Sequence, residues 1–269
     1  MKNLTRFLST VSVACVALSA QAAPTIVTEW SYDLSSLWTA AAPAGVTGVG
    51  TQTLAWGTPA GPGGQSQLVI SGDVAGGSVD TFVGAPGPIP PAFFAAGNAL
   101  THNNQPIIGA SLTGATLTAT LSLDAVMPDG VGPGGIDPLI VNIGFAETPN
   151  QEPCAVDGSP TPCNDIFVLI GGLLNQSFTY DVDGTGDVTY FVNVFPTSGG
   201  VLSFLDDDEC IAAGQAPGCF GFSTPEGEST TLAFGFTIST SPFLVPEPGV
   251  LALTGLALLG AGLARRRRI

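Results

Sequence analysis

Positive charge is missing from almost the whole chain. Between Ala23 and Val245 there is no lysine and no arginine, whereas this stretch holds 20 of the 21 acidic residues. Proteins bind nucleic acid largely by neutralising phosphates with lysine and arginine, so nucleic acid is excluded as a partner. A basic patch for anionic lipid is excluded for the same reason. The interior carboxylates must tolerate their repulsion, be screened by salt, or bind cations.

Histidine is almost absent as well, which limits the chemistry that the chain can perform. His102 is the only histidine, and its neighbours Thr101 and Asn104 are polar but not acidic. A loop whose side chains bond the turn backbone is one interpretation, and a ligand site formed by Thr101, His102 and Asn104 is the other. No G-x-S-x-G turn occurs, and nothing in the sequence places a second carboxylate at the separation from Glu147 that glycoside hydrolysis requires. We predict no catalytic residues and no enzymatic activity.

The interior also lacks a long apolar stripe of helical period. Apolar and polar residues instead alternate in four runs, at 116–123, 139–145, 188–194 and 232–238, and residues 166–170 are apolar on both faces. Alternation of this kind is typical of half-buried strands, and glycine and proline clusters separate the runs. The pattern predicts an all-β, antiparallel β-sandwich of about ten strands. Residues 45–64 and 83–91 are expected to form long Gly/Pro loops.

The first 22 residues have the layout of a signal peptide. Lys2 and Arg6 precede a small, apolar segment, and Ala20 and Ala22 fit the A-x-A rule for signal peptidase. We therefore expect export through the Sec machinery and a mature chain that begins at Ala23.

The last 25 residues form a second targeting pattern. Pro246, Glu247 and Pro248 precede sixteen uncharged residues, at 249–264, and four arginines follow: Arg265, Arg266, Arg267 and Arg268. As a helix the uncharged segment is about 24 Å long, which is short for a hydrocarbon core of about 30 Å. Terminal arginines stay on the cytoplasmic side. The pattern predicts a short transmembrane helix that anchors the chain transiently in the inner membrane.

This tail resembles the PEP-CTERM sorting signal of Gram-negative bacteria. The resemblance rests on the Pro-Glu-Pro triplet at 246–248, the apolar segment and the arginine cluster. It implies that an exosortase, a membrane cysteine protease, cuts near the triplet. It also implies a final location at the cell surface or outside the cell, in exopolysaccharide and biofilm systems.

Four cysteines remain once Cys15 of the signal peptide is removed. They form two Cys-x8-Cys pairs, Cys154 with Cys163 and Cys210 with Cys219. Three disulfide pairings are possible, and we favour these two because each closes a short loop with proline or glycine in an oxidising compartment. A zinc site is the alternative, although zinc ligands are usually spaced by two to four residues.

One acidic segment allows two interpretations. Asp181, Asp183 and Asp187 lie in D-x-D-G-x-G-D, which is similar to the first half of a calcium loop. Position 12 of such a loop would be Val192 instead of glutamate, so a hairpin turn between strands is the other interpretation. Residues 206–209 form a second acidic cluster that is either a solvated loop or part of a cation site.

A second resemblance covers most of the interior. The segment Leu100–Ile107 contains Thr-His-Asn-Asn, and it resembles the signature of the THxN family of PEP-CTERM proteins. Four further segments share the resemblance, at 53–57, 145–150, 165–169 and 219–224. The family brings no established activity and no catalytic residues.

These observations divide the chain into three parts: a signal peptide at 1–22, an extracellular domain at 23–244 and a sorting signal at 245–269. We expect a structural or adhesive surface protein that acts in exopolysaccharide. A calcium- or glycan-binding module is the alternative, and an enzyme acting on surface polysaccharide is less favoured. An exposed aromatic platform from Trp30, Trp38 or Trp56 would favour sugar binding, whereas a deep pocket with His102 and two carboxylates would favour an enzyme.

Overall fold

The computed structural model describes residues 23–148, 154, 156, 163–199 and 201–244. The predicted signal peptide and the predicted sorting signal, with their alanines, Pro-Glu-Pro triplet and arginines, lie outside the described residues. Within the described ranges, no helix is long and apolar enough to cross a membrane.

The described chain is mostly β-structure, as the alternating runs predict. It forms sixteen strands, a single turn of 3-10 helix at Pro91–Phe93 and one short α-helix, α1, at Asp207–Ala212. The strands are β1 Glu29–Ala42, β2 Thr53–Trp56, β3 Thr58–Pro59, β4 Ser66–Ser71, β5 Val74–Phe82, β6 Ala95–Asn103, β7 Ile107–Ile108, β8 Gly114–Met127, β9 Gly134–Gly135, β10 Leu139–Ala146, β11 Asp165–Ile170, β12 Gln176–Tyr180, β13 Val188–Pro196, β14 Ser203–Phe204, β15 Phe220–Thr224 and β16 Ser229–Ser239.

Fourteen of these strands belong to one large mixed sheet. Its main path runs β14-β15-β11-β10-β8-β1-β5-β16-β6-β4-β2, while β13 joins β16, β12 joins β13 and β9 joins β8. The path from β14 to β5 is here called the first half, and β16 with the strands beyond it the second half. Within each half the neighbours are antiparallel, whereas β5 and β16 pair in parallel through Thr81–Ile238 and Phe82–Ser239.

The two halves contribute side chains to the same core clusters. Trp30 of β1 and Leu121 of β8 share one cluster with Tyr190 of β13, Phe236 and Ile238. A second cluster joins Trp38, Phe145 and Phe167 from the first half to Trp56, Leu68 and Leu232 from the second. The apolar face of each half is therefore covered by the other half, which is the burial that period-2 alternation requires.

The three tryptophans occupy the centre of this packing, and each is fully buried. Each indole N–H also finds an acceptor: Trp30 donates to Thr81 Oγ1 at 2.9 Å, Trp38 to the Gln52 carbonyl at 3.2 Å and Trp56 to Glu147 Oε2 at 2.7 Å. A buried indole needs such a partner because its N–H is a strong donor.

The structure corrects three details of the predicted architecture. The strand count is sixteen instead of about ten, and the β5–β16 pair makes the sheet mixed instead of wholly antiparallel. Residues 45–64 are not one long loop, because β2 and β3 lie within them. The pairing of β2 with β4 buries Leu54 and Trp56. With only two buried apolar positions in four residues, the sequence alternates too briefly to predict a strand there.

The acidic segment at 206–209 is also not a loop. It leads into α1, where the backbone N–H of Asp206 donates to Glu209 Oε2 at 3.0 Å. Acidic residues in a first helical turn are stabilised by the unpaired backbone N–H groups there.

The apolar run at 166–170 predicts a strand covered on both faces, and this is confirmed for residues 166–168, which are buried in succession, but not for Ile170, which is exposed. Phe167 points into the second core cluster, whereas Ile166 and Val168 pack against Ala213 at the end of α1. The α1 segment thus covers the outer face of a strand that is otherwise near the edge of the sheet.

Both favoured disulfides are present. Cys154 bonds Cys163 with 5.5 Å between their Cα atoms, and Cys210 bonds Cys219 with 5.7 Å. The zinc alternative is therefore wrong for these cysteines, because each sulfur is bonded to another sulfur. The second bond holds α1 to the start of β15.

Replacing Cys210 and Cys219 with serine should lower the free energy of unfolding by about 2–3 kcal/mol, from the loop-closure entropy of a short loop. Urea denaturation monitored by tryptophan fluorescence measures this change. The Cys154→Ser/Cys163→Ser variant is a matched comparison, because both disulfides have a sequence separation of 9. An unchanged midpoint in both variants would contradict a stabilising role for the disulfides.

Candidate functional site

Seven polar or aromatic side chains from distant parts of the sequence meet at one end of the fold. They are here called the buried polar cluster. Its members lie at strand ends or in the adjoining turns, which brings residues far apart in sequence to one end of the sheet. The cluster comprises Trp56 (end of β2), His102 (β6), Asn104 (after β6), Glu147 (after β10), Asp165 (start of β11), Thr224 (end of β15) and Glu226 (turn before β16).

His102 points into the core, because every second residue of β6 is buried. Its ring stacks on Trp56, with 5.9 Å between ring centroids and 14° between planes, and it meets the edge of Phe145 at 5.0 Å. Neither ring nitrogen has a hydrogen-bond partner, and Nε2 lies 3.9 Å from Asp165 Oδ2, which is too far for a hydrogen bond. Burial lowers the pKa of His102 to about 3, so the imidazole is neutral.

The predicted ligand trio is divided by the strand. The Thr101 side chain lies on the other face of β6, where its hydroxyl pairs with that of Thr231 at 2.9 Å. Asn104 is fully buried near His102, and its Nδ2 donates to the Thr224 carbonyl at 3.1 Å. The structure therefore brings His102 and Asn104 to one site but places Thr101 elsewhere.

Glu147 and Asp165 form a carboxyl pair beside the imidazole. Glu147 Oε2 accepts the indole N–H of Trp56, and Asp165 Oδ1 accepts the backbone N–H of Thr148 at 2.9 Å. The two carboxyls lie beside each other, and the negative charge of Glu147 raises the pKa of Asp165. Two adjacent carboxyls in a buried site share one proton more readily than they ionise together.

The surroundings of the pair keep that proton in place. Burial raises the pKa of Glu147, although the Trp56 N–H opposes the shift. Burial also raises the pKa of Asp165, and the negative charges of Glu147 and Glu226 add to the rise. Like charges in a poorly solvated site cannot both ionise, so the pair holds one proton in the neutral pH range.

Glu226 lies at the rim of the cluster, on the turn between β15 and β16. Burial raises its pKa, and the nearby backbone N–H of Gly227 opposes that shift without the geometry of a hydrogen bond. Both carboxylate oxygens are shielded from solvent and make no hydrogen bond. The cluster thus contains three carboxyls and a neutral imidazole, and the described residues include no lysine or arginine to balance them.

The chemistry open to this arrangement is proton sharing and cation binding. Within the described ranges, no three histidine, cysteine, aspartate or glutamate side chains are positioned as they stand to hold a metal ion. His102 and two carboxyls do meet, and His102 and Asp165 are completely buried. None of the three tryptophans is exposed, so they offer no platform for sugars.

The segment Asp181–Asp187 forms the turn of the β12–β13 hairpin, as one interpretation predicts. Asp181 accepts hydrogen bonds from the backbone N–H groups of Gly184 at 2.7 Å and Gly186 at 3.1 Å. Asp183 accepts the N–H and hydroxyl of Thr185 and the hydroxyl of Thr25, which lower its pKa. The turn's own donors therefore occupy both carboxylates, and calcium binding by Asp181, Asp183 and Asp187 stays a prediction.

Sequence reasoning missed most of the cluster. Trp56, Asp165 and Thr224 lie in the segments of the family resemblance, which converge on this site, but nothing in their local sequence indicates a shared role. Glu147 was considered without a partner, and the structure supplies one in Asp165. Glu226 lies outside those segments, and only its position two residues after Thr224 connects it to them.

No protein-family model matches the chain, and no curated protein matches it. The resemblance to the PEP-CTERM and THxN families therefore stays a prediction.

The carboxyl pair makes stability depend on pH. The folded-state pKa is raised to about 7 for Glu147 and about 9 for Asp165. The stabilisation is complete below about pH 4, where unfolded carboxyls are protonated too, and it is lost as pH rises through these two values. The free energy of unfolding should fall by up to about 1.4 kcal/mol per pH unit for each proton involved.

Thermal melts in chelator between pH 5 and pH 9 measure this dependence, and the Glu147→Gln variant should show a shallower fall. Glutamine can still accept the Trp56 N–H, so the packing is kept. Glu228→Gln removes a charge from an exposed position nearby and should keep the wild-type slope. A wild-type melting temperature that rises over this range would contradict the proton-sharing pair.

Proposed function

We propose that this chain is an exported, exosortase-processed protein of the cell surface or extracellular matrix, with a structural or adhesive role in exopolysaccharide or biofilm. The observation that carries the proposal is the pair of disulfides, Cys154–Cys163 and Cys210–Cys219. Disulfides form and persist mainly in oxidising compartments outside the cytoplasm. Export is also what the signal peptide at 1–22 and the sorting tail at 245–269 predict.

We also propose that residues 23–244 form a single β-sandwich. The two halves of the sheet fill common core clusters, and the tryptophans of both halves lie inside them. A structural role of this kind requires no conformational change. The stability of the domain comes from the apolar side chains buried between the two halves, together with the disulfides.

The absence of enzymatic activity is part of the proposal. The imidazole and carboxyls that could perform acid–base chemistry contact one another and buried aromatic rings, so a substrate could reach them only if the end of the fold opened. The glycan-binding alternative is less supported, because Trp30, Trp38 and Trp56 are all buried. An enzyme acting on surface polysaccharide is supported least.

Expression of the full chain in a Gram-negative host, with and without an exosortase, tests the proposal. With the protease, mass spectrometry should find a mature chain that begins at Ala23, lacks the four arginines and is located outside the inner membrane. Without it, the chain should remain in the inner membrane fraction, with the domain accessible from the periplasm.

Two variants sharpen this test. Glu247→Ala, within the Pro-Glu-Pro triplet, should cause the same retention in the presence of the protease. A chain truncated after residue 244 should be soluble in the periplasm in both strains. Cytoplasmic accumulation of the full chain with an intact residue 1–22 segment would contradict the proposed export.

A further inference from the structure

The buried polar cluster contains more unpartnered polar atoms than proton sharing explains. Six of its oxygens are shielded from solvent and have no hydrogen-bond partner. They are Asn104 Oδ1, Glu147 Oε1, Asp165 Oδ2, Thr224 Oγ1 and both Glu226 carboxylate oxygens. Buried polar atoms in folded proteins are almost always partnered, and each exception needs an explanation, of which a bound water or ion is one.

The two neutral residues point to a ligand independently of the acidic ones. Asn104 and Thr224 are both fully buried. The bond from Asn104 Nδ2 to the Thr224 carbonyl fixes the orientation of the amide, so Oδ1 is held as an acceptor without a donor. Thr224 lies opposite Asp165 on paired strands, which places its hydroxyl beside the carboxyl pair.

A proton cannot satisfy all of these atoms. One proton shared by Glu147 and Asp165 satisfies an oxygen of each carboxyl, but it leaves Asn104 Oδ1 and both oxygens of Glu226 without a donor. His102 cannot supply charge, because the buried ring is neutral and its nitrogens have no hydrogen-bond partner. No lysine or arginine occurs among the described residues, so the positive charge must come from outside the chain.

We propose that the buried polar cluster binds one divalent cation that prefers oxygen ligands, of the Ca²⁺ class. Such ions take six to eight oxygens at about 2.3–2.6 Å, from carboxylates and amide carbonyls among others. The six unpartnered oxygens come from five residues and include both of these types. The site differs from the β12–β13 hairpin, where hydrogen bonds from the turn and from Thr25 already occupy Asp181 and Asp183.

Glu226 completes the proposed ligand set from the rim of the cluster, where it is half-buried on a turn. Because no three acidic side chains among the described residues are placed for a metal ion as they stand, its side chain reorients when the ion binds. Before the ion binds, Glu226 only repels the other two carboxyls, which is the direction of its effect on their pKa values. Its contribution to stability should therefore change sign when the cation binds.

Thermal melts of the purified full-length chain test the site, in chelator and in CaCl₂ at matched ionic strength. Saturating calcium should raise the wild-type melting temperature by about 5–10 °C, as expected for a ligand at about 100 times its Kd in a domain of this size. Glu226→Gln should melt at or above the wild type in chelator and lose most of the calcium-dependent rise. Isothermal titration should give one calcium per wild-type chain.

Two control variants make the outcome specific. Glu228→Gln lies on the same turn but is exposed, and it should keep the calcium-dependent rise. Asp183→Asn alters the hairpin turn and should keep it too. If the calcium-dependent rise in melting temperature were lost in Asp183→Asn and kept in Glu226→Gln, the ion would lie at the hairpin and the proposal would be overturned. Identical melting temperatures of the wild type in chelator and in calcium would overturn it as well. This inference does not depend on exosortase processing, so either experiment can fail without the other.

Discussion

The fold buries the carboxyls of Glu147 and Asp165 in a domain whose described residues include no lysine or arginine to pair with them. A buried charge is tolerated in proteins when it is paired, and in most domains an arginine or lysine supplies the partner. The described residues contain neither. Glu147 and Asp165 therefore rely on an indole N–H, a backbone N–H and each other, and the remaining imbalance must be met by protons or by a cation.

The buried polar cluster can exist in a β-domain because it lies where several strands end. Strands bury one face along their length, but they leave polar backbone groups and short turns where they end. Trp56 and Phe145 close the inner side of the cluster with aromatic rings, and the turn that carries Glu226 covers the outer side. The cluster thus joins β2, β6, β10, β11 and β15, which come from both halves of the sheet.

The strands that carry long alternation were the most predictable part of this fold. The predicted runs at 116–123, 139–145, 188–194 and 232–238 all lie within observed strands. β16 departs from simple alternation, because residues 235–239 are buried in succession. The short strands were not predictable, since a four-residue strand such as β2 carries only two buried positions. The parallel joint between β5 and β16 could not be predicted either, because it pairs residues about 160 positions apart through two register contacts.

The candidate site was predictable only in part. The sequence predicts a shared site for Thr101, His102 and Asn104. Because side chains alternate between the two faces of a strand, His102 and Asn104 lie on one face and Thr101 lies on the other. Asp165 lies in the segment 165–169 of the family resemblance, but its role depends on a pairing with Thr224 that no local pattern specifies. The cysteine pairs were predictable because the loops they close are short.

The missing basic residues have a consequence for how the domain responds to proteases. Proteases of the trypsin type cut only after lysine or arginine, which their negatively charged specificity pocket recognises. From Ala23 to Val245 the chain offers them no cleavage site, whether the domain is folded or transiently open. The same stretch carries no side-chain amine, so amine-directed chemical coupling has no side chain to react with between Ala23 and Val245.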